Sequence, residues 1–362
     1  MGPLPSSPLV ARRKAFQAAL LGWYRAERRR LPWREKPSLY GTVVSEFMLQ
    51  QTQVKTVLPF FERWMAALPD FRTLAEAPEG RVLKLWEGLG YYARARNLGK
   101  LARALVAMGE IPRAPEAWRA LPGVGPYTAA AVTSIAFGVP VACVDGNIVR
   151  ILARLTANGT KFRDGAAAAK AFAPLAQTLL PSSAVGDHNQ AMMELGATVC
   201  LRQNPLCASC PVRRFCAARR LGAPSGFPRL GRRAPSRCAV VRIWWESGGK
   251  LLLHGASPSG RRLAGLHELP TAEQVGLSPG SAARLPLLAR KRRNITRFQI
   301  TESIHAHPAV PGRRIDGLVW TPLSRLDSIA ISGPHRKWIR EVLAIPPKQA
   351  PEARSSGLRR IR

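Results

Sequence analysis

The stretch Leu121-Pro122-Gly123-Val124-Gly125-Pro126-Tyr127-Thr128-Ala129 decides the fold. Two glycines around one apolar residue specify a tight turn that ends where a helix begins. Apolar spacing on either side predicts helices over Ala114–Ala120 and Pro126–Phe137, so that residues from about 119 to 138 form a hairpin between helices. Backbone N–H groups at such a helix start can hold a phosphate. Gly-x-Gly turns also join helices in proteins without a ligand; the longer pattern here favours a grip on nucleic-acid backbone, with no reading of bases.

Outward from the hairpin, residues 11–218 carry apolar residues at helical spacing between short Gly and Pro breaks, which predicts an all-α region. Further helices are expected over Ala11–Glu27, Thr42–Phe61, Ile148–Leu155 and Gly165–Leu180. The texture then changes. Residues 219–237 are dense in Arg, Pro, Gly and Ser and read as a linker. Cys238–Trp245 and Lys250–His254 read as strands around the turn Ser247-Gly248-Gly249, opening a smaller α+β domain over 238–345. Residues 1–10 read as a disordered end and 346–362 as a basic tail.

The 362 residues hold 55 Lys and Arg against 22 Asp and Glu, a net charge of +33 spread along the chain. Such a surface favours a polyanion. No apolar run approaches the ~18 residues of a membrane span, and the N-terminus lacks a secretory core, so the expected setting is a reducing cytoplasm. A monomer is expected, with one site per chain.

Cys200, Cys207, Cys210 and Cys216 fall within 17 residues as C-x6-C-x2-C-x5-C, with Pro205 and Pro211 between them. Four thiols so close can wrap one soft metal centre; zinc and a [4Fe–4S] cluster both accept four thiolates, and spacing leaves the metal open. Paired disulfides suit a secreted chain better than this one. Cys143 and Cys238 stand apart and read as incidental thiols.

Two acids stand in apolar surroundings. Glu46 lies in Ser45-Glu46-Phe47-Met48-Leu49, where burial would raise its pKa into the range of a proton donor. Asp145, in Val144-Asp145-Gly146-Asn147-Ile148, precedes a helix and fits an N-cap as well as a catalytic carboxylate.

In this order the pieces resemble the MutY-type adenine DNA glycosylases of the helix-hairpin-helix superfamily that includes endonuclease III. The resemblance covers about residues 11–218: Leu31-Pro32-Trp33-Arg34, Ser45 to Val54, Trp86 to Leu98 with its Gly88-Leu89-Gly90-Tyr91-Tyr92 core, the hairpin, the Asp145 segment, Asn189 to Gly196 and the four cysteines. It implies a [4Fe–4S] cluster on Cys200, Cys207, Cys210 and Cys216, with a structural and DNA-contacting role. It implies removal of adenine opposite 8-oxoguanine or guanine in double-stranded DNA, in a bacterial cytoplasm and nucleoid. Glu46 matches the acid that protonates N7 of the flipped purine, and Asp145 the carboxylate that stabilises the oxocarbenium-like sugar. Tyr127 and Asn147 match supporting groups. Trp33, Arg34 and Gln190 match the adenine pocket, Gln51, Thr52, Leu89 and Tyr91 the residues that probe the gap and the opposite base, and Gly123 and Gly125 the phosphate turn.

Tyr127 separates close relatives, because the endonuclease III type carries a lysine there that forms a Schiff base and cuts the strand. A phenol cannot, so a monofunctional glycosylase is expected. An endonuclease III-like glycosylase-lyase acting on oxidised pyrimidines and a catalytically silent DNA-binding protein are the alternatives. Residues 238–345 resemble the MutT-like (Nudix-fold) domain with which the family recognises 8-oxoguanine, through Gly265-Leu266-His267-Glu268-Leu269-Pro270. The paired glutamates of a working Nudix hydrolase are missing, so no phosphohydrolase activity is expected. Where many members present Phe-Ser-His to the damaged base, the counterpart here is Ile295-Thr296-Arg297, with Thr296 keeping a hydroxyl.

Overall fold

A computed structural model of the chain describes residues 8–231, 234–256, 265–295, 298–308 and 317–344. Two compact units divide it, Met1–Ala234 and Pro235–Arg362.

The first unit is helical: α1 Pro8–Ala11, α2 Arg13–Glu27, α3 Pro32–Glu35, α4 Leu39–Leu49, α5 Val54–Ala67, α6 Phe71–Glu76, α7 Glu79–Trp86, α8 Ala93–Met108, α9 Pro115–Arg119, α10 Pro126–Phe137, α11 Gly146–Thr156, α12 Gly165–Thr178, α13 Val185–Thr198 and α14 Ala217–Arg220. Apolar on every side, α10 runs through the middle of the unit against α4, α9 and α13, with Thr128–Ser134 all buried. One core joins Phe16, Leu20 and Tyr24 of α2 to Ile148, Ile151 and Leu152 of α11, Phe172 of α12, Leu195 of α13 and Phe215. Elsewhere Trp64 and Trp86 meet edge to face at 5.5 Å, and the Trp64 indole donates to the Tyr40 hydroxyl at 2.9 Å.

Three sequence expectations need correction. Thr42–Phe61 is not one helix: α4 stops at Leu49 and α5 starts at Val54, because Gln51 turns left-handed (φ 56°) with no glycine or proline to announce it. Residues 8–10 of the expected loose end are helical, anchored by buried Leu9, while residues 1–7 lie outside the described residues. Within the expected linker, β2 (Arg229–Leu230) pairs in parallel with β1 (Lys161–Phe162), and the Gly231 N–H reaches the Phe162 carbonyl at 2.8 Å. The Arg- and Pro-rich composition there hides a stretch that docks by backbone hydrogen bonds.

The second unit holds β3 Ser236–Trp244, β4 Glu246–Ser247, β5 Lys250–Gly255, β6 His267–Glu268, α15 Pro279–Ala282, β7 Leu287–Ile295, β8 Phe298–Ala306, β9 Leu318–Pro322 and α16 Gly333–Leu343. β8 pairs in parallel with β3 and antiparallel with β7; β5 pairs antiparallel with β4, β6 and β9. Its interior is charged as well as apolar: Arg242 bridges Glu268 (3.3 Å) and Glu302 (2.7 Å), with Ser332 donating to Glu268 at 2.8 Å. Thr296 and the tail 346–362 lie outside the described residues.

The hairpin yields a stability contrast. Gly123 is left-handed (φ 76°), and a Cβ there would meet the Asn97 Cβ at 2.5 Å, whereas Gly125 is extended (φ −90°) with open space around it. Gly123→Ala is therefore expected to cost at least about 2 kcal/mol in thermal or urea unfolding, from backbone strain plus the clash, with Gly125→Ala near neutral. Equal effects of the two substitutions would contradict this packing.

Candidate active site and cysteine cage

Ser38 caps α4 by accepting from the Gly41 N–H at 3.0 Å, and every residue from Tyr40 to Met48 is buried. Glu46 therefore enters the interior by helix geometry, not by attraction to a cation. Only 7% of it is exposed, and burial lifts its pKa to about 7; the Tyr127 hydroxyl and Arg34 pull it down while Asp145 adds to the rise. Tyr127, in the first turn of α10, has its own pKa pushed well up by burial and then by both carboxylates, and its hydroxyl lies 3.5 Å from the Met193 sulfur.

Asp145 is both things the sequence allowed. Its Oδ1 accepts from the Ile148 N–H at 2.8 Å and caps α11, while Oδ2 accepts from the Asn147 amide at 2.9 Å. Burial raises its pKa, opposed by those hydrogen bonds and by Arg150. Asn147 in turn accepts from Arg150 at 2.9 Å, and Arg150 donates to the carbonyls of Gly196 (2.8 Å) and Cys200 (2.8 Å). Gly196 has to be small here, since a Cβ would stand 2.6 Å from the Asn147 Cβ. One chain of polar contacts thus runs from Asp145 to the first cysteine.

Sequence reasoning missed Asn189. Its amide behaves as a short piece of strand: Oδ1 accepts from the Cys143 N–H (3.2 Å) and Nδ2 donates to the Val141 carbonyl (2.9 Å) and to Ser134 Oγ (2.9 Å). It fixes the connection that delivers Asp145. Its place in the Asn189–Gly196 motif was visible, but the partner loop has no pattern of its own.

Arg34 donates to Gln190 Oε1 at 3.1 Å and to Glu194 at 2.9 Å, and Arg29 grips the same carboxylate at 2.7 Å. Burial opposes ionisation of Glu194, yet the hydrogen bond from Arg29 and the charge of Arg34 outweigh it and hold its pKa at about 2. Glu194 is a second missed residue, and it holds Arg34, which donates to Gln190 and whose charge acts on Glu46. Trp33 is buried edge to face on Phe61 at 5.0 Å.

Gln51 and Tyr91 are exposed and left-handed (φ 56° and 49°), and Leu89 is buried between glycines Gly88 and Gly90. Arg94 reaches both segments: it donates to Thr52 Oγ1 at 3.3 Å and to the carbonyls of Leu89 and Gly90 at 3.1 Å. Gly123 sits against Asn97 of α8.

Cys200, Cys207, Cys210 and Cys216 line one small cavity with Arg154, Leu206, Arg213 and Arg219, and none of the four is in a disulfide. Arg154, almost wholly buried, donates to the Cys200 sulfur (3.3 Å) and to the carbonyls of Leu201 (2.7 Å) and Arg202 (2.9 Å), binding the loop to α11. Among the described residues no three His, Cys, Asp or Glu side chains converge on a single-ion point.

The pattern of the HhH-GPD superfamily of base excision DNA repair proteins matches residues 44–175. The adenine DNA glycosylase of Rattus norvegicus is 39% identical over 311 residues, covering 71% of this chain and 60% of that protein. The adenine DNA glycosylase of Mycolicibacterium smegmatis is 37% identical over 210 residues, covering 57% of this chain and 70% of that one. The solved structure of a thermostable thymine-DNA glycosylase is 29% identical with a TM-score of 0.50, over 57% of this chain and 96% of that chain. The chain spans less than two thirds of the length of the rat relative. Glu46, Tyr127 and Asp145 all fall inside the matched 44–175 segment, and on these likenesses the chain belongs to the MutY-type adenine DNA glycosylase family of the HhH-GPD superfamily.

Proposed function

We propose that the protein is a monofunctional adenine DNA glycosylase acting on adenine opposite 8-oxoguanine or guanine in double-stranded DNA. The observation that carries this reading is a carboxyl group with a pKa near neutrality, Glu46, held beside a second carboxylate, Asp145, with a phenol rather than an amine at position 127. With the adenine flipped out of the stack, Glu46 in its protonated form gives its proton to N7 and turns the purine into a neutral leaving group. Asp145, whose anionic form the Ile148 N–H, Asn147 and the α11 N-terminus favour against the burial that raises its pKa, stabilises the cationic sugar until water adds. Arg34 and Gln190 bracket the base, and Trp33 supplies an apolar wall. Tyr127 orients Glu46 and cannot form the imine of a lyase.

Four cysteines lining one cavity beside Arg154, Arg213 and Arg219 suit a [4Fe–4S] cluster, which takes four thiolate ligands. Cys200, Cys207, Cys210 and Cys216 would hold it, and when bound it would brace the loop on which Arg150 and Arg154 anchor. The second unit is read as the MutT-like domain that reports 8-oxoguanine, with Thr296 as the contact.

Glu46→Gln is expected to abolish alkali-revealed cleavage of the adenine strand in single-turnover assays while duplex binding persists; unchanged release would remove Glu46 as the acid. Since Glu46 titrates near 7 when folded against 4.5 when unfolded, stability falls as pH rises between those values, by on the order of 3 kcal/mol. The same Gln variant should then be more stable than the parent at pH 8 and no more stable at pH 4, as thermal melts would read. Base release should fall as pH rises through about 7, where Glu46 loses its proton, and again at low pH as Asp145 gains one. A flat profile from pH 6 to 9 would contradict the assignment. Cys207→Ser should lose iron, sulfide and visible absorbance and melt earlier; full retention of iron would exclude Cys207 as a ligand.

A further inference from the structure

Arg94 is a buried cation with no acid. Only 7% exposed at the start of α8, it forms no ion pair with any carboxylate among the described residues. Its two terminal nitrogens are hydrogen-bonded mainly to backbone instead, while the buried Nε has no hydrogen-bond partner among the described residues. One nitrogen, Nη1, donates to the carbonyls of Phe47 (3.0 Å), Met48 (2.9 Å) and Gln50 (2.5 Å), at the C-terminal end of the helix that carries Glu46. The other, Nη2, donates to Thr52 Oγ1 (3.3 Å) and to the carbonyls of Leu89 and Gly90 (3.1 Å each). Its carbon lies 5.3 Å from the Trp86 ring centroid and 5.4 Å from that of Tyr91.

A buried charge costs several kcal/mol unless hydrogen bonds replace its water, and here neither loop alone can do so. The carbonyls at the end of α4 carry the negative pole of that helix and supply half of the solvation. Thr52 Oγ1 and the 89–90 carbonyls take the other hydrogen bonds. Displacing either segment strips partners from the same cation, so the two move together or not at all. Each segment also holds a non-glycine residue in the left-handed region, Gln51 and Tyr91, at a cost on the order of 1 kcal/mol or more that the clamp offsets. These two side chains project outward, Tyr91 with 46% of its surface exposed.

We propose that Arg94 is a positioning residue that locks the Gln51–Thr52 and Leu89–Tyr91 segments into one rigid wedge and fixes that wedge to the Glu46 helix, so that unstacking the duplex and presenting the acid are one event. The inference rests on reading Gln51 and Tyr91 as the elements that enter the helix stack. Arg94→Lys keeps the charge and loses the fork that spans both segments.

The test is stopped-flow fluorescence of a duplex carrying 2-aminopurine in place of the target adenine, which brightens on unstacking, with Arg94→Lys, Arg94→Met and Tyr91→Ala beside the parent. Both Arg94 variants are expected to slow the fluorescence rise at least about tenfold, equivalent to ~1.4 kcal/mol. The pH at which the residual adenine release falls off is expected to stay where the parent has it, since Arg94 does not touch the Glu46 carboxyl. A parent-like fluorescence rise in Arg94→Lys, with Tyr91→Ala slowed, would overturn the Arg94 link alone. A parent-like rise in Tyr91→Ala would instead overturn the wedge reading beneath it. Slowed unstacking accompanied by a displaced pH profile would reduce Arg94 to general support of α4. If Arg94→Met does not fold, Arg94→Lys carries the comparison, and Thr52→Val, which removes one acceptor, should show a smaller slowing of the same sign.

Discussion

Glu46 is a carboxyl group inside an apolar helix, and the rest of the first unit is arranged around the cost of putting it there. Desolvation disfavours its charge, so at neutral pH a large share of the group is an acid ready to donate. A surrounding cation would defeat this by stabilising the carboxylate. Arg34, the cation nearest in effect, is diverted: its hydrogen bonds go to Gln190, Glu194 and the Arg29 carbonyl. Glu194 accordingly has the opposite environment, two guanidiniums and a pKa of about 2. Two glutamates in one unit thus stand several pKa units apart because their neighbours differ, a general way of separating acid from anion.

On the proposed reading Asp145 acts as an anion while partly buried, and its support is an extended hydrogen-bonded chain. The link through Asn147 and Arg150 ends on the Cys200 carbonyl, so the geometry of the cysteine loop and the orientation of the carboxylate share one set of bonds. Asn189 fixes the other side of the same segment. The cysteine loop and the Asp145 carboxylate are thus joined by an unbroken set of covalent and hydrogen-bonded neighbours.

What the sequence revealed follows from the kind of signal each residue gives. Gly123 declares itself because its conformation and its contact with Asn97 exclude other residues. The four cysteines declare themselves by spacing, and Glu46 by being acidic within an apolar run. Helices such as α10 and α12 were legible from period and breaks. The gap between α4 and α5 was not, because Gln50-Gln51-Thr52-Gln53 contains no helix breaker and the bonds that flank the left-handed Gln51, at Gln50 and Thr52, come from Arg94, 44 and 42 positions along the chain. The β1–β2 pairing was illegible for a related reason: Arg229 and Leu230 dock through backbone, which composition does not encode. Asn189 and Glu194 sat within a recognised motif without roles, since their partners come from loops distant in sequence.

The charge balance explains the recurring use of arginine. With 55 basic residues and 22 acidic ones, most arginines cannot find a carboxylate. Some that enter the interior do pair with acids, as Arg242 does with Glu268 and Glu302, but several bind carbonyls: Arg94 at the end of α4, Arg150 at Gly196 and Cys200, Arg154 at Leu201 and Arg202, and Arg336 at Leu326 and Ile329. The last carbonyls of a helix and those of an irregular loop lack intrahelical donors and need them from elsewhere. A planar guanidinium with five N–H groups can satisfy several at once, which a lysine cannot. Each of these arginines accordingly fastens irregular backbone to a helix, and the segments so fastened are the wedge, the Asp145 support and the cysteine loop. An excess of positive charge that suits the surface to a polyanion also supplies, inside, the donors that make its irregular segments rigid.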